Sequence, residues 1–222
     1  MPSTLAQLEV RVSQLLFDTA NAIFTTGLID EAIRIALAEY NRIAPRNMEA
    51  LVTLPGDGRE VALNGVADLL AVTAVWWPYD STDPDAWPPN VIDGWQLLWD
   101  DAQPLLYLPA DTHGQPQLDD ELRLWYTAPQ TVQNLDSASA STLPAPDETL
   151  LVLGAAGYAC ISRSVDLNET TANMAISTPN YGALGAGYLS EFRRGLDKLK
   201  SARPQSGAPW PSKGWKLDKW DK

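Results

Sequence analysis

The chain has 222 residues with 28 acidic and 16 basic side chains, and its formal net charge of -12 argues against a free-standing nucleic-acid binder, which needs a basic surface. One cysteine excludes an internal disulfide, and together with the one histidine it excludes the common Cys/His zinc sites. Because no run of about 18 apolar residues occurs and MPSTLAQLEV lacks the features of a signal peptide, we expect a soluble protein made in a reducing cytoplasm.

Two amphipathic helices are predicted at the N-terminus. In residues 3–20 apolar side chains recur at three- and four-residue spacing, and Thr4 with Gln7 fits a capping box. Residues 28–43 show the same spacing, and Pro45 ends the pattern. Each helix therefore has one apolar face to bury.

The period then changes to that of strands. Residues 48–54 and 59–63 flank Pro-Gly-Asp-Gly and predict a hairpin. In the last predicted strand, apolar residues alternate with polar or aromatic ones such as Arg123 and Trp125, so we expect one buried side and one solvent-facing side. The further predicted strands are 69–77, which Pro78 ends, then 94–99, 105–108 and 121–127.

Two more helices follow an irregular connection at 129–146. The third, from about 147 to 167, is apolar nearly all round and contains Gly154 and Gly157, which predicts a buried central helix that a neighbour approaches closely. The fourth, at 185–200, turns apolar residues inward and basic residues outward. Its predicted outward basic face consists of Arg193, Arg194 and Lys198.

The predicted fold class is α+β, a four-helix bundle with a β-rich insertion between helices 2 and 3 and an extended C-terminal arm. The helical bundle domain comprises residues 1–46 plus 129–202, and the β-rich insertion domain comprises residues 47–128. Residues 203–222 form the arm, which has too few aliphatic side chains to fold alone.

The charge is unevenly distributed. All six lysines lie in the last 25 residues, and the chain from Arg193 onward has a net charge of +6, against -18 before it. The arm repeats tryptophan every five residues, with lysines between. This pattern suits three kinds of partner: tryptophans can stack on the bases of single-stranded nucleic acid, bind an anionic membrane together with the lysines, or insert into pockets of a protein. An acidic body repels phosphates, so we favour a protein partner, including the acidic surface of a neighbouring copy. The predicted anchors are Trp210, Lys213, Trp215, Lys216, Lys219 and Trp220.

No residue pattern predicts catalysis, a metal or a cofactor. The one histidine, His113, lies in the predicted surface loop THGQP, and Cys160 lies mid-helix among apolar residues, as a small buried thiol does. Asp80, Asp83 and Asp85 lack the glycine and distal glutamate of an EF-hand calcium loop. We therefore expect a protein that is not an enzyme.

A carbohydrate-binding or glycan-cleaving module is the alternative function. Sugar sites use aromatic platforms, and glycosidases add two carboxylates. The same tryptophans can instead fill a sheet core or a subunit interface, which we favour. The tryptophans in question are Trp76, Trp77, Trp87, Trp95 and Trp99.

The order of elements resembles the head-to-tail adaptor proteins of tailed bacteriophages, also called connector or head-completion proteins. TLAQLEVRVSQLLFDTA and LIDEAIRIALAEYNRIAP resemble the paired N-terminal helices of this family. LRLWYTAP resembles the strand that closes its β-insertion, and LPAPDETLLVLGAAGYACISRS resembles its central helix. The resemblance covers about residues 3–200, and the Trp-rich loop at 78–93 and the arm depart from it.

The resemblance implies a structural virion protein in the phage neck, assembled in the host cytoplasm. It implies a homo-oligomeric ring, generally a dodecamer, beneath the portal protein, with the arm reaching the portal and the β-domain facing a neighbour or the next tail or neck protein. Genomic DNA is expected to pass through the channel without specific binding, along an acidic wall, and no membrane contact is expected.

Overall fold

The computed structural model describes residues 2–83, 90–101, 103–109, 114–171 and 180–202, the side chains of 167–171 excepted. Over these residues the chain is α+β, with four α-helices and two three-stranded sheets. No described helix is long and apolar enough to span a bilayer. In chain order the elements are α1 (Leu5–Leu15), α2 (Thr26–Ile43), β1 (Arg46–Thr53), β2 (Glu60–Ala62), β3 (Ala71–Tyr79), β4 (Gln96–Asp100), β5 (Gln103–Tyr107), β6 (Glu121–Ala128), α3 (Glu148–Thr171) and α4 (Tyr181–Ala202).

The chain divides into two compact units. Among the described residues, the helical unit comprises those of 2–45 and 130–202, and the β unit comprises those of 46–129. Each unit has a hydrophobic core of its own. Within the helical unit α3 contacts the other three helices, as its nearly continuous apolar surface requires.

The core of the helical unit is built from the predicted apolar stripes. Tyr40 of α2 and Phe192 of α4 are fully buried in it, and the Tyr40 hydroxyl donates a hydrogen bond to Asp147 at 2.5 Å. Residues 130–144 contain no helix or strand, yet they cover this core with apolar side chains. These side chains are Val132, Leu135 and Leu143.

Helix α1 begins as predicted but ends five residues early. Gln7 accepts a hydrogen bond from the Thr4 amide at 2.9 Å, one half of the predicted capping box. The helix stops at Leu15, because the buried Asp18 carboxylate accepts three main-chain amide bonds and folds the following residues into a loop. Within this loop Phe17 has a φ of 56°, which no helix allows.

The two helices that follow the irregular connection approach each other at glycines. A Cβ atom on Gly157 of α3 would lie 2.8 Å from Leu189 of α4. A Cβ atom on Gly185 of α4 would lie 2.9 Å from the Gly157 carbonyl oxygen. Hydrogen side chains at both positions therefore let the backbones come closer than any other residue would permit.

The β unit consists of two antiparallel sheets around one core. The first sheet has the strand order β1-β6-β3 and the second has the order β2-β5-β4. Buried side chains of both sheets belong to the same core, among them Val75 and Leu124 from the first and Val61 and Leu106 from the second.

The predicted hairpin of residues 48–54 and 59–63 is wrong. Both strands exist, but β1 pairs with β6, through Ala50 opposite Leu124, while β2 pairs with β5, through Val61 opposite Leu106. The Gly-containing loop therefore joins the two sheets instead of closing a hairpin. The strand predicted to end before Pro78 continues to Tyr79 at a sheet edge, where proline is tolerated.

Candidate interaction surface

The six predicted anchors of the arm lie outside the described residues. The arm, residues 203–222, holds five basic and two acidic side chains, a net charge of +3. The helical part, 1–45 with 130–202, holds eight basic and 12 acidic side chains, a net charge of -4. The β unit holds three basic and 14 acidic side chains, so with -11 it carries most of the negative charge. The anchors are Trp210, Lys213, Trp215, Lys216, Lys219 and Trp220.

The predicted basic face of α4 is exposed, but two of its three cations are already paired. Arg193 Nε donates to Glu39 Oε1 of α2 at 3.1 Å, and Arg194 Nη1 donates to Glu191 Oε1 at 2.9 Å. Lys198 makes no ion pair within the described part of the chain. This face therefore offers less free positive charge than its sequence suggests.

The Glu39 carboxylate joins three helices. It accepts hydrogen bonds from Arg193 of α4 and from the Tyr158 hydroxyl of α3. The hydrogen bond to Glu39 raises the pKa of Arg193. The pKa of Tyr158 is also raised, mainly by burial and to a smaller extent by the hydrogen bond to Glu39. Arg193 thus contributes to packing within the helical unit.

A cluster that sequence reasoning missed lies on the solvent-facing side of the first sheet. The Arg123 guanidinium carbon lies 4.9 Å from the ring centre of Trp125, 5.4 Å from that of Trp76 and 5.3 Å from that of Tyr79. These are cation–π distances. We call this surface, with Glu49 and Leu51 beside it, the aromatic face.

Glu49 holds Arg123 in place. Arg123 Nη2 donates to Glu49 Oε2 at 2.6 Å, and Arg123 Nη1 donates to the Tyr79 oxygen at 3.2 Å. The bond to Glu49 raises the pKa of Arg123 further above its usual range. The guanidinium therefore hydrogen-bonds to both Glu49 and Tyr79 and lies beside all three rings.

The signal for this face is present in the sequence but incomplete. The side chains of β6 alternate between buried and partly exposed. Arg123 and Trp125 lie together on the partly exposed side, as predicted. The partners Glu49 and Trp76 come from β1 and β3, which lie on either side of β6. Only the strand order shows that these residues meet.

Carboxylates gather at one end of the same sheet. The last row across β1, β6 and β3 contains Glu121 beside Tyr79, and the Glu121 carboxylate accepts the Ser81 amide at 2.9 Å. The adjoining loops add five aspartates, and none of the six carboxylates makes an ion pair with a described residue. We call Asp57, Asp80, Asp83, Asp119, Asp120 and Glu121 the acidic end.

Four of the five tryptophans considered for sugar binding are described, and they lie in different parts of the β unit. Trp77 is 2% exposed in the core of the β unit, Trp95 packs against the same core, and Trp99 is 56% exposed on the second sheet. Trp76 belongs to the aromatic face, where Arg123 occupies the ring surface that a sugar would need. Trp87 lies outside the described residues.

Cys160 and Asp80 are among the described candidates for chemistry. Cys160 is buried in the helical core, and burial raises its pKa to about 11, so the thiol stays protonated at neutral pH. Asp80 accepts bonds from the Thr82 amide and hydroxyl, which lower its pKa. His113 and Asp85 lie outside the described residues, and the part of the chain that is described contains no His, Cys, Asp and Glu group suited to a metal ion.

Comparison with known proteins gives structural neighbours only. No family model and no curated protein matches the chain. One neighbour is a chain in the neck of an empty gene transfer agent particle computed with C6 symmetry, at 18% identity, a TM-score of 0.29 and 92% coverage of both chains.

Two further neighbours come from native particles of the same kind. A chain of the native gene transfer agent virion has 18% identity and a TM-score of 0.31, with 86% of this chain and 88% of that chain covered. A chain from the native neck computed with C12 symmetry has 18% identity and a TM-score of 0.29, with coverages of 94% and 97%. These TM-scores do not establish a common fold.

Proposed function

We propose that this chain is a structural, non-enzymatic virion protein: a head-to-tail adaptor that forms a ring beneath the portal and links it to the tail or neck. The observation that carries the proposal is the element order. Paired helices, a β unit and a central glycine-containing helix follow one another as the family resemblance implies, and the resembling segments lie on α1, α2, β6 and α3.

In this proposal the helical unit is a four-helix bundle and supplies the body of each protomer. The ring is a dodecamer, the β unit meets a neighbour or the next neck component, and the ring assembles in the host cytoplasm. DNA passes through the channel without specific binding, because a wall of acidic protomers repels phosphates. A structure of the assembled ring tests this last point, since a neutral or basic lumen contradicts it.

The arm supplies the attachment to the portal. Tryptophan is a leading hot-spot residue, and an arm that orders on binding can wrap a large surface. Its anchors are Trp210, Trp215 and Trp220 with the intervening lysines, and the α4 residues Arg193, Arg194 and Lys198 add a second, weaker contact to an acidic neighbour.

Deleting residues 203–222 is expected to abolish binding to the portal while both cores stay folded, because the described residues supply a hydrophobic core to each unit without the arm. Co-sedimentation with portal rings measures the binding, and circular dichroism reports the fold. Replacing the three arm tryptophans by alanine is expected to have the same effect. Replacing Lys213, Lys216 and Lys219 by arginine is the matched control, since it keeps the charge. Unchanged co-sedimentation of the deletion variant would contradict the proposal.

A further inference from the structure

The aromatic face has the composition of a binding surface. Tryptophan, tyrosine and arginine are the residue types that most often dominate the energy of protein interfaces. Trp76, Tyr79, Arg123 and Trp125 bring all three types together on the solvent-facing side of one sheet. Leu51, which is 50% exposed and lies opposite Arg123 in the strand register, extends this surface with an aliphatic side chain.

The acidic end defines the charge of the partner. Its six carboxylates adjoin the aromatic face through the row of Glu121 and Tyr79. Within the described ranges the nearest cation on the sheet, Arg123, is already bonded to Glu49. A segment that complements this side of the sheet therefore carries positive charge where it meets the acidic end, and aromatic or aliphatic side chains where it meets the aromatic face.

One segment of this same chain has that composition. Residues 203–222 combine three tryptophans with a net charge of +3, whereas the β unit has a net charge of -11. Fully extended, the 20 residues of the arm reach roughly 66–72 Å. That is several times the radius of gyration of a compact unit of 100 residues, about 13 Å.

We propose that in the free protein the arm docks on the aromatic face and the acidic end of its own chain. The arm tryptophans pack against Leu51 and the partly exposed rings of the cluster, and the arm lysines approach the carboxylates of the acidic end. The tether favours this arrangement over a second copy, because a short flexible linker gives an effective concentration on the order of millimolar. The proposal does not depend on a role in a virion neck.

Docking within the chain has a consequence for any partner. A protein that binds the arm must first displace it from the sheet. The apparent affinity for that protein is therefore the intrinsic affinity multiplied by the fraction of molecules in which the arm is undocked. The arm is then released only where a partner binds it more strongly than the β unit does.

The test uses a fluorescein-labelled peptide of residues 203–222 with two proteins, the full chain and residues 1–202, and reads binding from fluorescence anisotropy. Residues 1–202 are expected to bind the peptide, more weakly as sodium chloride rises from about 20 to 500 mM because exposed charge pairs are screened. The full chain is expected to bind at least roughly tenfold more weakly, because its own arm occupies the surface.

Variants of residues 1–202 locate the surface. Asp83→Asn with Asp119→Asn removes two charges from the acidic end, and Asn suits the positive φ of 66° at position 119. We expect roughly two- to tenfold weaker binding from the lost charge pairs. Leu51→Ser tests the aromatic face at an exposed position. The matched control, Asp100→Asn with Asp101→Asn, removes two charges from the turn between β4 and β5 and should weaken binding less than the acidic-end pair does.

Three results would overturn the proposal. They are no binding by residues 1–202, equal binding by the full chain and residues 1–202, or equal effects of the acidic-end pair and the control pair. None of these measurements contains a portal protein, so they are independent of the co-sedimentation experiment.

Discussion

At the scale of single residues, the Asp18 carboxylate organises the loop between α1 and α2. It accepts hydrogen bonds from the amides of Ala22 at 3.0 Å, Ile23 at 2.8 Å and Phe24 at 2.7 Å. The bond from the Phe24 amide makes the largest contribution to lowering its pKa, and burial opposes it. The loop leaves the Phe17 side chain 95% exposed and buries Phe24 in the helical core.

Replacing Asp18 by alanine is expected to lower the free energy of unfolding by about 1–3 kcal/mol, because three amides lose a charged acceptor in a buried setting. Chemical denaturation at pH 7 measures the loss. Asp197→Ala on the exposed side of α4 is the control, with an expected change within about 0.5 kcal/mol. An equal loss in both variants would show that the Asp18 bonds contribute nothing specific.

The Asp18 carboxylate also makes the free energy of unfolding depend on pH. Its pKa in the folded chain lies below the unfolded value of about 3.9, so it stabilises the fold above that value. This contribution is lost as the pH falls through the folded pKa. Denaturation at pH 6 and pH 3 should therefore show a smaller difference between Asp18→Ala and the unaltered chain at the lower pH, and a constant difference contradicts this assignment.

At the scale of elements, the crossing of α3 and α4 depends on the absence of a side chain at Gly185. A Cβ atom there would lie 2.9 Å from the Gly157 carbonyl oxygen and 3.0 Å from the Cys160 Cβ atom. Because backbone cannot move aside as a flexible side chain can, Gly185→Ala is expected to cost about 1–3 kcal/mol.

Gly187, two residues along the same helix, provides a matched control for this substitution. A Cβ atom at this position would meet nothing within 4 Å, so Gly187→Ala is expected to stabilise the helix by about 0.5–1 kcal/mol. Thermal unfolding of the two single variants tests the pair. A rise in melting temperature for both variants would show that the crossing tolerates a methyl group.

The elements that were predicted correctly are those that local patterns define. The stripe of α2 and the inward residues of α4 follow the helical period. Of the five predicted for α4, three are buried and two, Tyr188 and Leu199, are partly buried against the same core. The end of α1 was missed because it depends on side-chain bonds made by Asp18. The hairpin was wrong because the partners of β1 and β2 lie far along the chain, and a turn motif cannot select between them.

The candidate surface was only partly predictable for the same reason. The sequence shows the tryptophan spacing of the arm and the outward position of Arg123, both of which are local. It does not show that Glu49 and Trp76 lie beside that arginine, because they come from β1 and β3, the two strands that pair with β6.

At the scale of the whole molecule, the charge distribution opposes association of free copies. Each copy of 24.3 kDa carries a net charge of -12, and like charges raise the cost of bringing acidic β units together. The isolated chain is therefore expected to sediment as a monomer in about 0.15 M salt, and to form a ring only on a partner that supplies binding energy.

Sedimentation velocity of the full chain and of residues 1–202 tests this expectation. Removing the arm takes away a charge of +3, so the truncated chain, at -15, should be at least as strictly monomeric. If salt screening alone, up to about 0.5 M, produced rings of the full chain, repulsion would be the barrier and the partner would be dispensable. If monomers persist at high salt and assemble only after a portal ring is added, the contacts between protomers are too weak to close a ring unaided.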